Sequence, residues 1–312
     1  DFSSAKNFAI EQAQGEWIAF LDADEYFPET VINKVKNEIQ SLNKNIDAVI
    51  CKIVNVNADD NNKYISSFYN IRIFRNNKNL RYQNKVHEML KKKTEQLNLY
   101  KLPNDIEIYH TGYSTSIVKE KLARNLKILQ DEIALSGEQS WHLGFLCDCY
   151  FGLEDYKKTI EYAQKSIKSG VKLIGQENNI YSRLISAMAY LNMDEEALLK
   201  EINNAILKFP ELPDFYMDKA MVLLKQKKYV EAEVNLENVL DKYRYKKTEL
   251  LTNTIEGKMY LVYAYLAETY YYLGDKDSAE KYAKLDIALG KKNVTYASKA
   301  YRILIEILKD MK

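Results

Sequence analysis

The residues best suited to chemistry are Asp22-Ala23-Asp24-Glu25, three carboxylates in four positions directly after the apolar run Trp17-Ile18-Ala19-Phe20-Leu21. Carboxylates gathered at the end of a buried strand repel one another unless a cation lies among them. A hard divalent ion with oxygen ligands suits such a cluster, and open α/β sheets bind ligands beyond the carboxyl ends of their strands. An acidic surface turn is the plain alternative. Two of the chain's three histidines, His87 and His110, lie in the same part of the chain as this cluster, and either could serve structure alone.

These residues need elements to hold them. Ser3 or Ser4 can cap a helix reaching about Gln14, which Gly15 stops. Trp17–Leu21 reads as a short buried strand. Pro28 opens a helix with Val31, Ile32, Val35, Ile39 and Leu42 as its apolar face. Asp47–Val56 is predicted as a second buried strand, Tyr69–Phe74 as an alternating one, and Ile106–His110 as a further short one. Strand, helix and strand in this order predict an α/β layer over 1–113. Residues 114–138 follow as a connecting helix bearing Val118, Leu122, Leu126 and Leu129. Over 139–312 the strand-like alternation ceases and helix pairs take over.

Three separated segments resemble glycosyltransferase family 2. They are Asp1-Phe2-Ser3-Ser4-Ala5-Lys6-Asn7, Gly15-Glu16-Trp17-Ile18 leading into Leu21-Asp22-Ala23-Asp24-Glu25, and Arg75-Asn76, Arg81-Tyr82 and Val86-His87-Glu88. The resemblance implies a GT-A fold, a nucleotide-sugar donor and inversion at the anomeric carbon. It implies Mn or Mg at the D-x-D element, with Asp24 as direct ligand and Asp22 against the donor's ribose or sugar. It also implies Lys6 and Asn7 as donor contacts, Glu88 or His87 as acceptor-side base, and His110 in Tyr109-His110-Thr111-Gly112-Tyr113 as a further metal ligand. Lys6 departs from the family's more usual Arg, which keeps the charge and loses the bidentate fork. The family places a sizeable stretch ahead of the segment matched by Asp1–Asn7. The expectation is therefore a partial GT-A domain, N-terminally truncated, that binds donor poorly and is inactive by itself.

Residues 139–312 resemble tetratricopeptide (TPR) repeats. The anchors are Leu143, Leu146, Tyr150 and Thr159; Tyr181, Leu184 and Ala197; Tyr216, Ala220, Tyr229 and Ala232; and Tyr263, Ala267, Gly274 and Ala279. Small residues let paired helices approach, and aromatics fill the space between units. A closing helix is predicted over 294–309, because a solenoid needs a capped end. The fold class expected is thus an α/β partial GT-A-like domain followed by an all-α TPR-like superhelical repeat domain. A non-repeating helical bundle is the alternative for the second part.

Composition narrows the partners. Net charge is +1, so no overall field favours nucleic acid or a membrane surface. No apolar stretch is long enough for a transmembrane segment. Three Cys at positions 51, 147 and 149 form no disulfide framework and suit a reducing cytoplasm. The function expected is a metal-dependent, inverting sugar transfer to a peptide, protein or glycan acceptor recruited by the repeats. Two other readings compete. One is a non-catalytic interaction module carrying a degenerate transferase remnant. The other is a phosphotransferase or hydrolase, for which no Gly-rich phosphate loop speaks.

Overall fold

A computed structural model describes residues 2–83, 88–93, 96–112, 118–171, 177–245 and 251–290. The chain divides into two compact units, residues 1–187 and 188–312.

The first unit opens with helix α1 (Phe2–Gln12), which buries Ser3, Lys6 and Ile10. Strands β1 (Trp17–Ala19) and β2 (Glu25–Tyr26) follow, then a single 3-10 turn (Glu29–Val31) and helix α2 (Ile32–Ser41). Next come β3 (Ala48–Asn57), β4 (Lys63–Arg75), β5 (Leu80–Gln83), β6 (Met89–Lys92), β7 (Leu99–Lys101) and β8 (Glu107–His110). β3 is buried almost end to end, as its largely apolar Ala-Val-Ile-Cys-Lys-Ile-Val run predicts for a strand covered on both faces. The main sheet runs β1-β4-β3-β8-β2, with β7 also on β3; β5 and β6 form a separate hairpin. β3 and β4 are antiparallel, and β7 and β8 lie parallel to successive parts of β3.

Two apolar clusters cover the sheet. Val35 of α2 packs with Val49, Cys51, Ile53, Ile73 and Ile108. Ile10 of α1 packs with Ile18, Ala48, Phe74, Leu80, Tyr82 and Leu90. Adjacent residues Ala48 and Val49 fall in different clusters, as alternation along a strand requires. The helix predicted after Pro28 turns one notch from its expected face. Val31, Val35, Ile39 and Leu42 reach the core, but Ile32 is 39% exposed, because the 3-10 turn resets the phase before α2 begins.

β4 carries a bulge with a consequence for the site. Val49 pairs with Ile73 and Ile50 with Ile71, so Arg72 faces no partner on β3. A bulge of this kind re-aims the side chain it releases.

Helix α3 (Val118–Ser136) leaves the sheet and packs Leu122, Leu126 and Leu129 against α4 (Ser140–Gly152). α5 (Tyr156–Ser169) and α6 (Glu177–Tyr190) follow, with the unit boundary falling inside α6. The second unit holds α7 (Glu195–Lys208), α8 (Pro213–Lys225), α9 (Tyr229–Tyr245), α10 (Met259–Leu273) and α11 (Lys276–Gly290).

The helix pairs are repeats of TPR type, and their turns show it. Glu154, Asn192, Lys227 and Gly274 all have positive φ between the two helices of a pair. The residue after each donates its N–H to a carbonyl five positions back: Asp155 to Tyr150, Met193 to Met188, Lys228 to Leu223 and Asp275 to Tyr270. Four copies of one helix stop, two of them on side chains that tolerate the left-handed region poorly (Glu154 and Lys227), argue against a non-repeating bundle. Thr159, Ala220, Ala232, Ala267 and Ala279 are each fully buried where helices approach. Tyr263 and Tyr270 both stack on Tyr282, at 6.0 and 5.6 Å between centroids. The widest interval, Lys227 to Gly274, contains an extra 3-10 turn, Ile255–Lys258. The closing helix predicted over 294–309 lies outside the described residues. No described helix is long and apolar enough to cross a membrane. All three cysteines are buried thiols.

Candidate functional site

The acidic segment folds back on itself between β1 and β2. Glu25 N–H donates to the Asp22 carbonyl at 2.9 Å, and Asp22 N–H to Glu25 Oε2 at 3.2 Å. The short β2 then pairs with β8, setting Glu25 opposite His110, while β3 sets Asn55 beside His110 on the other flank. Thr111 N–H donates to the Asp24 carbonyl at 2.9 Å. This register carries the chemistry, since it brings residues 24 and 110 together from far apart in sequence.

The three carboxylates have different partners. Glu25, almost wholly buried, takes a two-pronged grip from Arg72: Nε to Oε2 at 2.6 Å and Nη2 to Oε1 at 2.7 Å. Asp22 accepts from Arg72 Nη2 at 3.1 Å and pairs with Lys6 Nζ at 3.0 Å. Asp24 turns the other way. Its Oδ2 lies 2.6 Å from Lys121 Nζ on α3 and 3.4 Å from His110 Nε2. His110 and then Lys121 hold the Asp24 carboxyl well below the usual carboxylate range, against the opposing effect of partial burial.

His110 is itself oriented. Asn55 Nδ2 donates to Ser66 Oγ at 2.9 Å, turning Asn55 Oδ1 toward His110 Nδ1 at 2.7 Å. With the ring proton on Nδ1, a neutral His110 shows Asp24 its Nε2 lone pair. A lone pair facing a carboxylate is repulsive unless a proton or a metal cation lies between them, and a ligating histidine ordinarily donates its other ring N–H to an oxygen acceptor, the part Asn55 Oδ1 can play here.

Gly112 completes the arrangement. A Cβ at this residue would lie within 2.6 Å of Asp24 Oδ2, His110 Nε2 and Lys121 Nζ together. The missing side chain thus lets these three side chains close into one cluster, the Gly112 cradle, with no room left for a methyl group. Asp24 Oδ2 and His110 Nε2, 3.4 Å apart, could both reach one divalent cation at ordinary ligand distances, about 2.0–2.6 Å. The described residues hold no cluster of three or more His, Cys, Asp or Glu suited to a metal. Asp24 and His110 could thus offer such an ion two protein ligands.

The remaining predicted residues fall as follows. Lys6 is buried beneath Asp22 and also pairs with Glu88, its ammonium lying 5.0 and 5.1 Å from the centroids of Phe20 and Tyr82. Asn7 engages the Tyr82 backbone with both ends of its amide, each at 2.9 Å, and so ties α1 to β5. In this position it is a strut between elements. His87 lies outside the described residues. His142 is fully buried and accepts from Gln139 N–H at 2.8 Å at the start of α4, a structural use. Sequence reasoning missed Arg72, Asn55, Lys121 and the cradle at Gly112. Only Gly112 left a trace, as a glycine two positions past His110.

Residues 1–106 match the sequence model of the family described as Glycosyl transferase family 2. This segment is a family 2 glycosyltransferase domain. Over 185 residues the chain is 29% identical to the SPbeta prophage-derived glycosyltransferase SunS of Bacillus subtilis (strain 168), covering 58% of this chain and 42% of that protein. It is 26% identical over 200 residues to the TPR repeat-containing protein Synpcc7942_0270 of Synechococcus elongatus, covering 61% of this chain and 47% of that one. The chain thus spans less than half the length of these relatives. Among solved structures, MamA aligns with a TM-score of 0.44 at 17% identity, over 57% of this chain and 94% of that chain. The TPR protein YrrB aligns with a TM-score of 0.45 at 14% identity, over 59% and 84%. Within the glycosyltransferase domain lie Lys6, Asp22, Asp24, Arg72 and Glu88; His110, Gly112 and Lys121 follow just after the matched segment.

Proposed function

We propose that this chain transfers a sugar, with inversion, from a nucleotide-sugar donor to a peptide, protein or glycan acceptor presented by the helical repeats. The observation that carries the reading is the pairing of an oriented imidazole nitrogen with a carboxylate oxygen, His110 Nε2 and Asp24 Oδ2, 3.4 Å apart beside Gly112. Asp24 and His110 would hold Mn or Mg between them. When bound, the ion neutralises charge that grows on the leaving diphosphate. Arg72 and Lys6 hold Asp22 in place at the rim, where its side chain is 40% exposed and can accept from donor hydroxyls. Glu88, tied to the same Lys6, stands near Asp22 as a candidate base for the acceptor hydroxyl, with His87 the other. Three buried free thiols, Cys51, Cys147 and Cys149, suit a reducing compartment such as the cytoplasm.

The test is release or transfer of sugar from a panel of nucleotide sugars, with Mn supplied or chelated. Activity that needs the ion and falls at least ~100-fold in Asp24→Ala is the expected outcome. Transfer indifferent to both chelation and Asp24 would sink the metal assignment.

A further inference from the structure

The cradle has a third member that neither the family match nor the assigned chemistry uses. Lys121 lies on α3, beyond the matched residues 1–106. Its ammonium is 2.6 Å from Asp24 Oδ2, and its side chain is one-third exposed. A divalent ion bound at ~2.2 Å from Asp24 Oδ2 would therefore stand no more than about 4.8 Å from this ammonium. A divalent ion and the ammonium cannot occupy such neighbouring positions, because the repulsion at that separation far exceeds thermal energy even at a high effective dielectric. One of them must leave.

We propose that Lys121 is a displaceable counter-cation of Asp24: the divalent ion takes its place on the carboxylate, and the freed ammonium moves to the donor diphosphate. The proposal rests on the metal reading of the cradle given above. Geometry makes the exchange feasible. Lys121 sits on a flexible stem open to solvent, so it can swing without unpacking a core. Arg72, by contrast, is locked on Glu25 by two hydrogen bonds and cannot serve. His110 stays put, because Asn55 holds its other nitrogen. The exchange also couples the two ligands. Alone, an ion must strip Asp24 of its partner and leave an ammonium unpaired. With a diphosphate present the ammonium gains new acceptors, so ion and diphosphate each favour the other.

The experiment measures Mn binding to the chain with no nucleotide, then inorganic pyrophosphate binding at saturating Mn, in wild type, Lys121→Met, Lys121→Arg and Asp24→Asn. Lys121→Met is expected to bind Mn alone roughly tenfold more tightly, because a charge-assisted partner of Asp24 is gone. The same variant is expected to bind pyrophosphate roughly tenfold more weakly, while Lys121→Arg stays close to wild type in both. Asp24→Asn should lose Mn. Mn affinity that depends on Asp24 but is equal in wild type and Lys121→Met overturns the exchange and leaves the metal reading standing. Unchanged pyrophosphate binding in Lys121→Met overturns the hand-over. Failure of both wild type and Lys121→Met to bind Mn removes the metal reading, and this proposal with it.

Discussion

Gly112→Ala is the smallest change that tests the site. An added Cβ would fall within 2.6 Å of three polar atoms, where real Cβ contacts essentially never occur below 3.0 Å. Two neighbours are ends of side chains, but the imidazole is pinned through Asn55 and cannot retreat without breaking that 2.7 Å hydrogen bond. The ion pair of Lys121 with Asp24 gives way instead. Both groups are a quarter to a third exposed, so its loss costs ~1 kcal/mol after allowance for solvent screening. Overpacking adds about 1 kcal/mol more, the lower end of its usual range, because the neighbours can yield. Together these lower the thermal midpoint by roughly 4–8 °C, at about 2–4 °C per kcal/mol for a unit of this size. The sharper effect is on the ion, since the methyl group pushes Asp24 Oδ2 away from the pinned His110 Nε2 and separates the two groups that would share it. Mn affinity should fall more than ~tenfold, well beyond what the stability loss explains. Calorimetric unfolding and Mn titration on the same samples measure both. Wild-type Mn affinity in a folded Gly112→Ala protein would refute the assignment of Asp24 and His110 as a shared ligand pair.

Other outcomes follow from the same structure. Arg72→Ala strands Glu25 as a buried, unpaired carboxylate and should cost ~3–5 kcal/mol in urea unfolding, with Arg72→Lys recovering only part because the two-pronged grip is lost. Asp24 has its folded pKa depressed, so its contribution to stability is fully present above the unfolded value near ~4 and is lost as pH falls below it; the acid limb of a midpoint-against-pH curve should flatten in Asp24→Asn. Asp286 on α11 is fully buried, with neither oxygen hydrogen-bonded among the described residues, and burial pushes its carboxyl up to about 6. Its folded pKa is raised, so stability should decline as pH rises from ~4 to about 6 and stay lowered above, and Asp286→Leu should stabilise the chain at pH 7 by roughly 1–3 kcal/mol. Leu266→Ala removes a fully buried side chain from the α9–α10–α11 core and should cost ~2–5 kcal/mol by the same unfolding assay.

The elements legible in the sequence were those whose own pattern decides them. β3 announced itself as an apolar run interrupted only by Lys52 and Asn55, and each helix pair through Ala or Thr at a fixed place. β2, β5, β6 and β7 did not, because strands of two to four residues carry no period and form only where a neighbour offers an edge. The same limit hid the phase of α2. Val31 and Ile32 are equally apolar, and only the intervening 3-10 turn decides which of them faces inward. The repeats gave up their alanines but not their turns. Glu154, Asn192 and Lys227 have nothing in common as side chains, so their shared left-handed backbone is visible only in three dimensions.

The site divides along the same line. Asp22, Asp24 and Glu25 stood out as a cluster, yet the sequence treats them as equivalents. The fold separates them by supplying different cations: an inward guanidinium for Glu25, two cations shared by Asp22, and an imidazole with a mobile ammonium for Asp24. Arg72 reaches its partners because a bulge on β4 frees it from the ladder, and no local motif encodes that release. Such division of labour is what a carboxylate cluster needs if one member is to bind an exchangeable cation. A fixed guanidinium neutralises the innermost charge permanently, so a cation arriving at Asp24 would not have to balance all three. On the proposed reading Asp24 would then offer a divalent cation one carboxylate oxygen beside the His110 nitrogen, and a diphosphate on the same ion would strengthen its hold.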